Sequence, residues 1–144
     1  MEEKKIVKIT DNNEPEKTVE NAVSNTKEEG LEVTSENLEK IAEEGVGFIR
    51  FRHPIHSDGE TVDRLFFDFN KIPMITINRI KREVEQKKRI RLGSSEVYSD
   101  SDVAMRLLSE ASGVTLADLE TVYPARDVIR GCEVCTLFFG KMRE

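Results

Sequence analysis

The sequence predicts an α+β fold: one N-terminal β-hairpin packed on a small bundle of about four helices, preceded by a mobile acidic leader. Three observations predict it. Residues 48–69 read as two apolar strands folded back through Ser57-Asp58-Gly59-Glu60, and Asp-Gly tolerates the positive φ that a tight hairpin turn needs. After Phe69, apolar residues recur at helical spacing to the end of the chain. Charge is uneven: residues 1–46 hold 13 acidic and 6 basic side chains, and residues 47–144 hold 15 and 16. A nearly neutral domain, 47–144, therefore follows an acidic leader, 1–46. With 38% apolar and 35% charged residues, the 144-residue chain has one core of moderate size and a part that is not packed.

Within the leader, Lys4 to Thr10 reads as a short strand on Ile6, Val7 and Ile9. Asp11 to Gly30 has too few large apolar groups to offset ordering entropy and reads as largely disordered. Residues 35–44 form a short amphipathic helix that Ser35 caps and Gly45 ends, with Leu38, Ile41 and Ala42 on one face; it docks weakly or waits for a partner. On the first hairpin strand Ile49 and Phe51 point one way and Arg50 and Arg52 the other, and Pro54 ends regular pairing. On the second strand Leu65, Phe67 and Phe69 share a face opposite Arg64 and Asp68. Such a hairpin is unstable alone, so helices must cover its apolar face.

Four helices follow. Thr76 caps the first, which carries Ile77, Ile80 and Val84 to about Lys88. The run Ser99-Asp100-Ser101-Asp102 opens the second, with Val103, Ala104, Leu107, Leu108 and Ala111 on a broad face and Gly113 just past its end. The third is short: Thr115 caps it, and Tyr123-Pro124 breaks the chain after it. Pro124 suits the start of the fourth, whose stripe is Val128, Cys132, Cys135 and Phe139, flanked by Ile129 and Phe138; Gly140 stops it near Phe139.

Chemistry-bearing patterns are few. Cys132-x-x-Cys135 places two thiols one turn apart on an apolar face, and no second cysteine pair completes a four-thiolate metal site, so both read as core. His53-x-x-His56 lies on a Pro-containing bend with Asp58 as its nearby carboxylate, and reads as a turn. There is no Gly-rich phosphate loop and no nucleophile elbow. The chain is expected to be non-enzymatic, without metal or cofactor. Arg79, Lys81, Arg82, Lys87, Lys88, Arg89 and Arg91 form a basic run that reads as a solvated face, a dock for the acidic leader or a phosphate-contacting helix. Glu83 and Glu85 interrupt it and no aromatic residue interleaves it, which weighs against nucleic acid. Glu2-Glu3-Lys4-Lys5 after Met1 is unlike a signal peptide, and no run approaches the roughly 18 apolar residues of a membrane span, so a cytoplasmic protein with no membrane partner is expected.

The order of elements and three segments carry a resemblance. Pro54-Ile55 precedes Gly59, Val62 and Leu65. The stretch Leu107-Leu108-Ser109-Glu110-Ala111-Ser112-Gly113-Val114-Thr115-Leu116-Ala117-Asp118-Leu119 forms a helix-Gly-short-helix-Asp centre. Asp127 stands early in a last helix that closes on Phe138-Phe139-Gly140. Over about residues 48–140 the chain resembles the tail assembly chaperones of long-tailed bacteriophages and phage-tail-like particles. It departs from their pattern in its long acidic leader and its more basic first helix.

The resemblance implies a protein of the bacterial host cytoplasm, prophage- or phage-encoded. It would bind the long, aggregation-prone tape measure protein, keep it soluble while tail tube protein is recruited around it, and be absent from the finished particle. Homo-oligomers suit a client long enough to need many copies. Helix-in-groove recognition is the expected mode, with Phe48 and Phe66 at the hairpin edge and Met105 and Leu137 on the second and fourth helices as client-facing residues. Arg79, Arg82, Lys87, Lys88 and Arg89 form the docking strip. Two other readings remain at this point: a small nucleic-acid-binding regulatory protein that uses helix 79–91, and a structural tail or head-completion component.

Overall fold

The computed structural model describes residues 30–142, with side chains described as far as Gly140. The strand expected at Lys4–Thr10, and most of the stretch 11–30 for which disorder is expected, lie outside the described residues. The α+β prediction holds. The element order is β1 (Leu31–Glu32), α1 (Leu38–Glu44), β2 (Val46–Ser57), β3 (Glu60–Asp68), α2 (Met74–Lys88), α3 (Ser101–Ser112), α4 (Leu116–Leu119) and α5 (Arg126–Met142), with 3₁₀ turns at Phe69–Lys71 and Val97–Ser99.

The hairpin forms where the turn chemistry puts it. Asp58 (φ 56°) and Gly59 (φ 79°) make the two-residue turn, and Ser57 pairs with Glu60 across it. Regular antiparallel pairing runs from Val46–Asp68 to Arg50–Arg64, and an irregularity between Arg50 and Ile55 contains Pro54. Pro54 therefore interrupts the ladder, but the strand resumes at Ile55–Val62 because the chain must still close on the turn. Alternation sends Ile49, Phe51, Leu65 and Phe67 into the core.

The sheet has a third strand that the sequence did not announce. Leu31 and Glu32 pair in parallel with Gly47 and Phe48, and the Val33 N–H donates to the Phe48 carbonyl at 2.8 Å. Folded structure thus extends upstream of residue 47. The helix expected over 35–44 is present as α1, with Ile41 and Ala42 completely buried, so it is part of the core and not a loosely docked element. Asn37, not Ser35, precedes its first turn: the Thr34 hydroxyl accepts from the Asn37 N–H while the Asn37 amide donates to the Glu32 carbonyl, which fixes the approach. Gly45 ends α1 at φ 79°, and its carbonyl accepts from the Phe69 N–H at 2.8 Å, tying α1 to the end of β3.

Helices α3 and α5 form the inner layer. α5 lies against α1, α3 and β2, while α3 also meets α2, α4 and β3. The Asp100 carboxylate accepts from the Asp102 and Val103 N–H groups at the start of α3, and the Thr115 hydroxyl accepts from Asp118 at the start of α4, as expected. α2 starts three residues earlier than expected, with Pro73 and not Thr76 at its cap, because the Pro73 carbonyl accepts the Thr76 and Ile77 N–H groups. α5 runs through Gly140 to Met142. One helical glycine costs about 1 kcal/mol relative to alanine, too little to stop a helix anchored by Phe138 and Phe139. Those two rings join Phe69 and Tyr98 in an aromatic cluster, with the Phe69 centroid 5.9 Å and 6.0 Å from Phe138 and Phe139 and Tyr98 stacked 5.2 Å from Phe139. Asp127, 6% exposed, accepts the Arg52 N–H at 2.9 Å and so ties the first turn of α5 to β2.

Two glycines give opposite expectations. A Cβ on Gly140 meets nothing within 4 Å, so Gly140→Ala raises stability by up to about 1 kcal/mol. A Cβ on Gly45 falls 2.6 Å from the Phe138 ring at a positive φ, so Gly45→Ala lowers stability by roughly 1–3 kcal/mol. Urea unfolding of the two variants checks both signs.

Candidate functional site

The outward side of α5 builds the candidate site. Val128, Val134, Cys135, Phe138 and Phe139 face the core. The 3.6-residue period then turns Ile129, Glu133, Thr136 and Leu137 outward, with Cys132 half-buried at the margin between the two faces. Leu38 of α1, Ser99 of the second 3₁₀ turn, and Ser101 and Ala104 of α3 wall this stripe into a groove of about 440 Å³. Its lining is mostly apolar, with hydroxyls from Ser99, Ser101 and Thr136 and the Glu133 carboxylate. Ile129 is 52% exposed, a large apolar side chain left uncovered at the mouth.

A second, mostly apolar hollow adjoins it, about 360 Å³ in volume, lined by Phe69, Asn70, Ile72, Met74, Ile77, Tyr98 and the Phe138–Phe139 pair. Neighbouring residues Tyr98–Ser99 and Leu137–Phe138 are divided between the two hollows, so they lie side by side. Met74 and Ile75 at the start of α2 are 62% and 74% exposed beside the second hollow.

The sequence-derived client-facing residues separate. Leu137 lines the groove. Phe48 on the central strand β2 and Phe66 on the edge strand β3 pair across the hairpin with centroids 5.2 Å apart, half-buried on the sheet face turned away from Ile49 and Leu65. The Arg50 and Arg64 guanidinium groups lie 5.9 Å and 6.0 Å from the Phe48 centroid. Met105 is half-buried against the core and lines neither hollow. Sequence reasoning missed Leu38, Ala104 and Ile129 as groove residues. A signal for Ile129 existed in the second helical register at 129, 132–133 and 136–137. Nothing local indicated that α1 would supply a wall.

Three of the seven basic residues from Arg79 to Arg91 are paired from within. Arg79 bridges Glu83 at 3.3 Å and Glu110 at 3.1 Å, Lys81 meets Glu85 at 3.0 Å, and Lys88 meets Asp100 at 2.8 Å and Asp102 at 3.2 Å. Arg82, Lys87 and Arg89 are exposed and make no ion pair among the described residues. The leader that was to dock on this strip lies mostly outside the described residues. His53 is exposed and stacks on Tyr123 with centroids 4.4 Å apart. Among the described residues, no group of three or more His, Cys, Asp or Glu side chains gathers in a metal-binding arrangement, and no helix is long and apolar enough to cross a membrane.

Two titrations follow from these surroundings. Burial pushes the Asp100 carboxyl up, but the Lys88 ammonium and the Val103 and Asp102 N–H groups outweigh it and hold the group below the usual carboxylate range. A depressed folded-state value stabilises the fold above the unfolded pKa and is lost as the pH falls through the folded value. Wild type is therefore more stable than Asp100→Asn at neutral pH, and the difference fades below about pH 4; thermal melts of both proteins across that range check it. Burial, and then the Glu133 charge, push the Cys132 thiol up to about 11, and burial pushes Cys135 higher still. At pH 8 iodoacetamide should label Cys132 about tenfold or more slowly than a free thiol, and Cys135 only after unfolding; mass spectrometry of timed samples reads both.

No family model, no curated protein and no solved structure matches the chain.

Proposed function

We propose that the protein is a tail assembly chaperone that binds the tape measure protein of a phage or phage-tail-like particle in the host cytoplasm, keeps it soluble and releases it to the growing tail tube. The observation that carries this reading is the aliphatic groove along α5, open over Ile129 and Leu137. The resemblance of residues 48–140 to tail assembly chaperones supports it from the sequence side. A groove of this kind takes the apolar face of an amphipathic helix, the element that a long helical client repeats many times. Covering those faces lowers the free concentration of the aggregating species by mass action. Shallow, open contact also suits a chaperone that tube subunits must displace. The ion pairs that occupy much of α2 weigh against the nucleic-acid alternative, since Arg79, Lys81 and Lys88 already have carboxylate partners.

Co-expression with the tape measure protein from the same gene cluster tests the proposal. Wild-type protein should hold the client in the soluble fraction. Ile129→Asp with Leu137→Asp should leave it in the pellet while the circular dichroism of the chaperone stays native. Soluble client with the double variant would overturn the groove assignment. Abundant protein in purified particles would overturn the chaperone reading in favour of a structural component.

A further inference from the structure

Glu133 lines the groove midway along α5 between Ile129 and Leu137, four residues from each, so all three lie along one line of the helix. Every other described lining residue is uncharged: Leu38, Ala104 and Cys132 are apolar, and Ser99, Ser101 and Thr136 carry hydroxyls. The other acidic side chains on α2, α3 and α5 and at the start of α3 are matched. Glu83, Glu85, Glu110, Asp100, Asp102 and Asp127 all have cationic partners. Glu133 makes no ion pair among the described residues. Its charge is felt inside the groove, where it adds to burial in keeping the neighbouring Cys132 thiol protonated.

We propose that the groove selects an apolar helix bearing one lysine or arginine at the middle of its docking face, and that Glu133 is the residue that reads it. This rests on the chaperone reading and names the chemistry of its client segment. A purely aliphatic helix laid on the groove strips water from the Glu133 carboxylate and gives nothing in return. A cation placed opposite turns that loss into a charge-assisted contact surrounded by apolar surface. The opposite sign is rejected, because an acidic residue at that point meets Glu133 in a drying site. A second copy of this chain is a poor occupant for the same reason. An isologous contact centred on α5 brings the two Glu133 carboxylates towards each other across the two-fold axis.

The test uses the full chain and three synthetic peptides. All share one amphipathic Leu/Ala helix and differ only at the centre of the apolar face, which carries Lys, Gln or Glu. Binding is read by fluorescence anisotropy at low and high salt, with sedimentation velocity to report self-association. The Lys peptide should bind about tenfold or more tightly than the Glu peptide, with the gap narrowing in salt. Glu133→Gln should level the series and Glu133→Lys should invert it; Glu133 is exposed, so neither substitution disturbs the core. Equal binding of all three peptides, or an order unchanged by Glu133→Lys, overturns the selection by Glu133 and leaves the chaperone reading standing. Failure of all three to bind overturns both. Self-association through the groove that excludes the Lys peptide also overturns the proposal.

Discussion

Helix α5 carries apolar residues around more of its circumference than the sheet and its neighbouring helices cover. That constraint organises the molecule. Val128, Val134, Cys135, Phe138 and Phe139 must go inward, because the hairpin has one apolar face and needs a helix against it. Once they do, helical geometry turns Ile129 and Leu137 outward and leaves Cys132 at the margin. The groove is therefore the remainder after the core has been satisfied. Leu38 and Ala104 only flank it, and Ile129 stays half in solvent.

Two anchors make that orientation of α5 rigid. At its start, the Asp127 carboxylate holds the Arg52 N–H of β2. Towards its end, Phe138 and Phe139 lock into Phe69 and Tyr98. Rotation about the helix axis would break both, so the outward stripe is presented in one register. A surface held this way loses little conformational entropy when a helix docks on it.

Local chemistry was legible in the sequence, and distant chemistry was not. Asp58-Gly59, the alternation through Leu65 and Phe67, the Asp100 and Thr115 caps and the length of α3 all depend on neighbours a few residues away, and the structure agrees with each. The burial of Ile41 and Ala42 depends on α5, nearly a hundred residues further on. The parallel β1 strand is only two residues long and has no periodicity to read. The basic run illustrates the same divide: Arg79 finds Glu110 and Arg106 finds Glu83 across helices, partners that a one-dimensional charge count sees as separate. Of the groove, the sequence indicated Leu137 as client-facing, while Ile129 and Cys132 read as part of the core stripe of α5. Its walls were not legible, because α1 and the turn at Val97–Ser99 arrive there only through the tertiary fold.

Methyl-resolved NMR of the protein during titration with helical segments of its proposed client, the tape measure protein, tests the central claim most directly. The account predicts saturable shifts at the methyl groups of Leu38, Ile129 and Leu137, which line the groove, with the methyls of Val46 and Val62 on the hairpin unmoved. Shifts confined to the hairpin, with Ile129 and Leu137 silent at saturation, would contradict it.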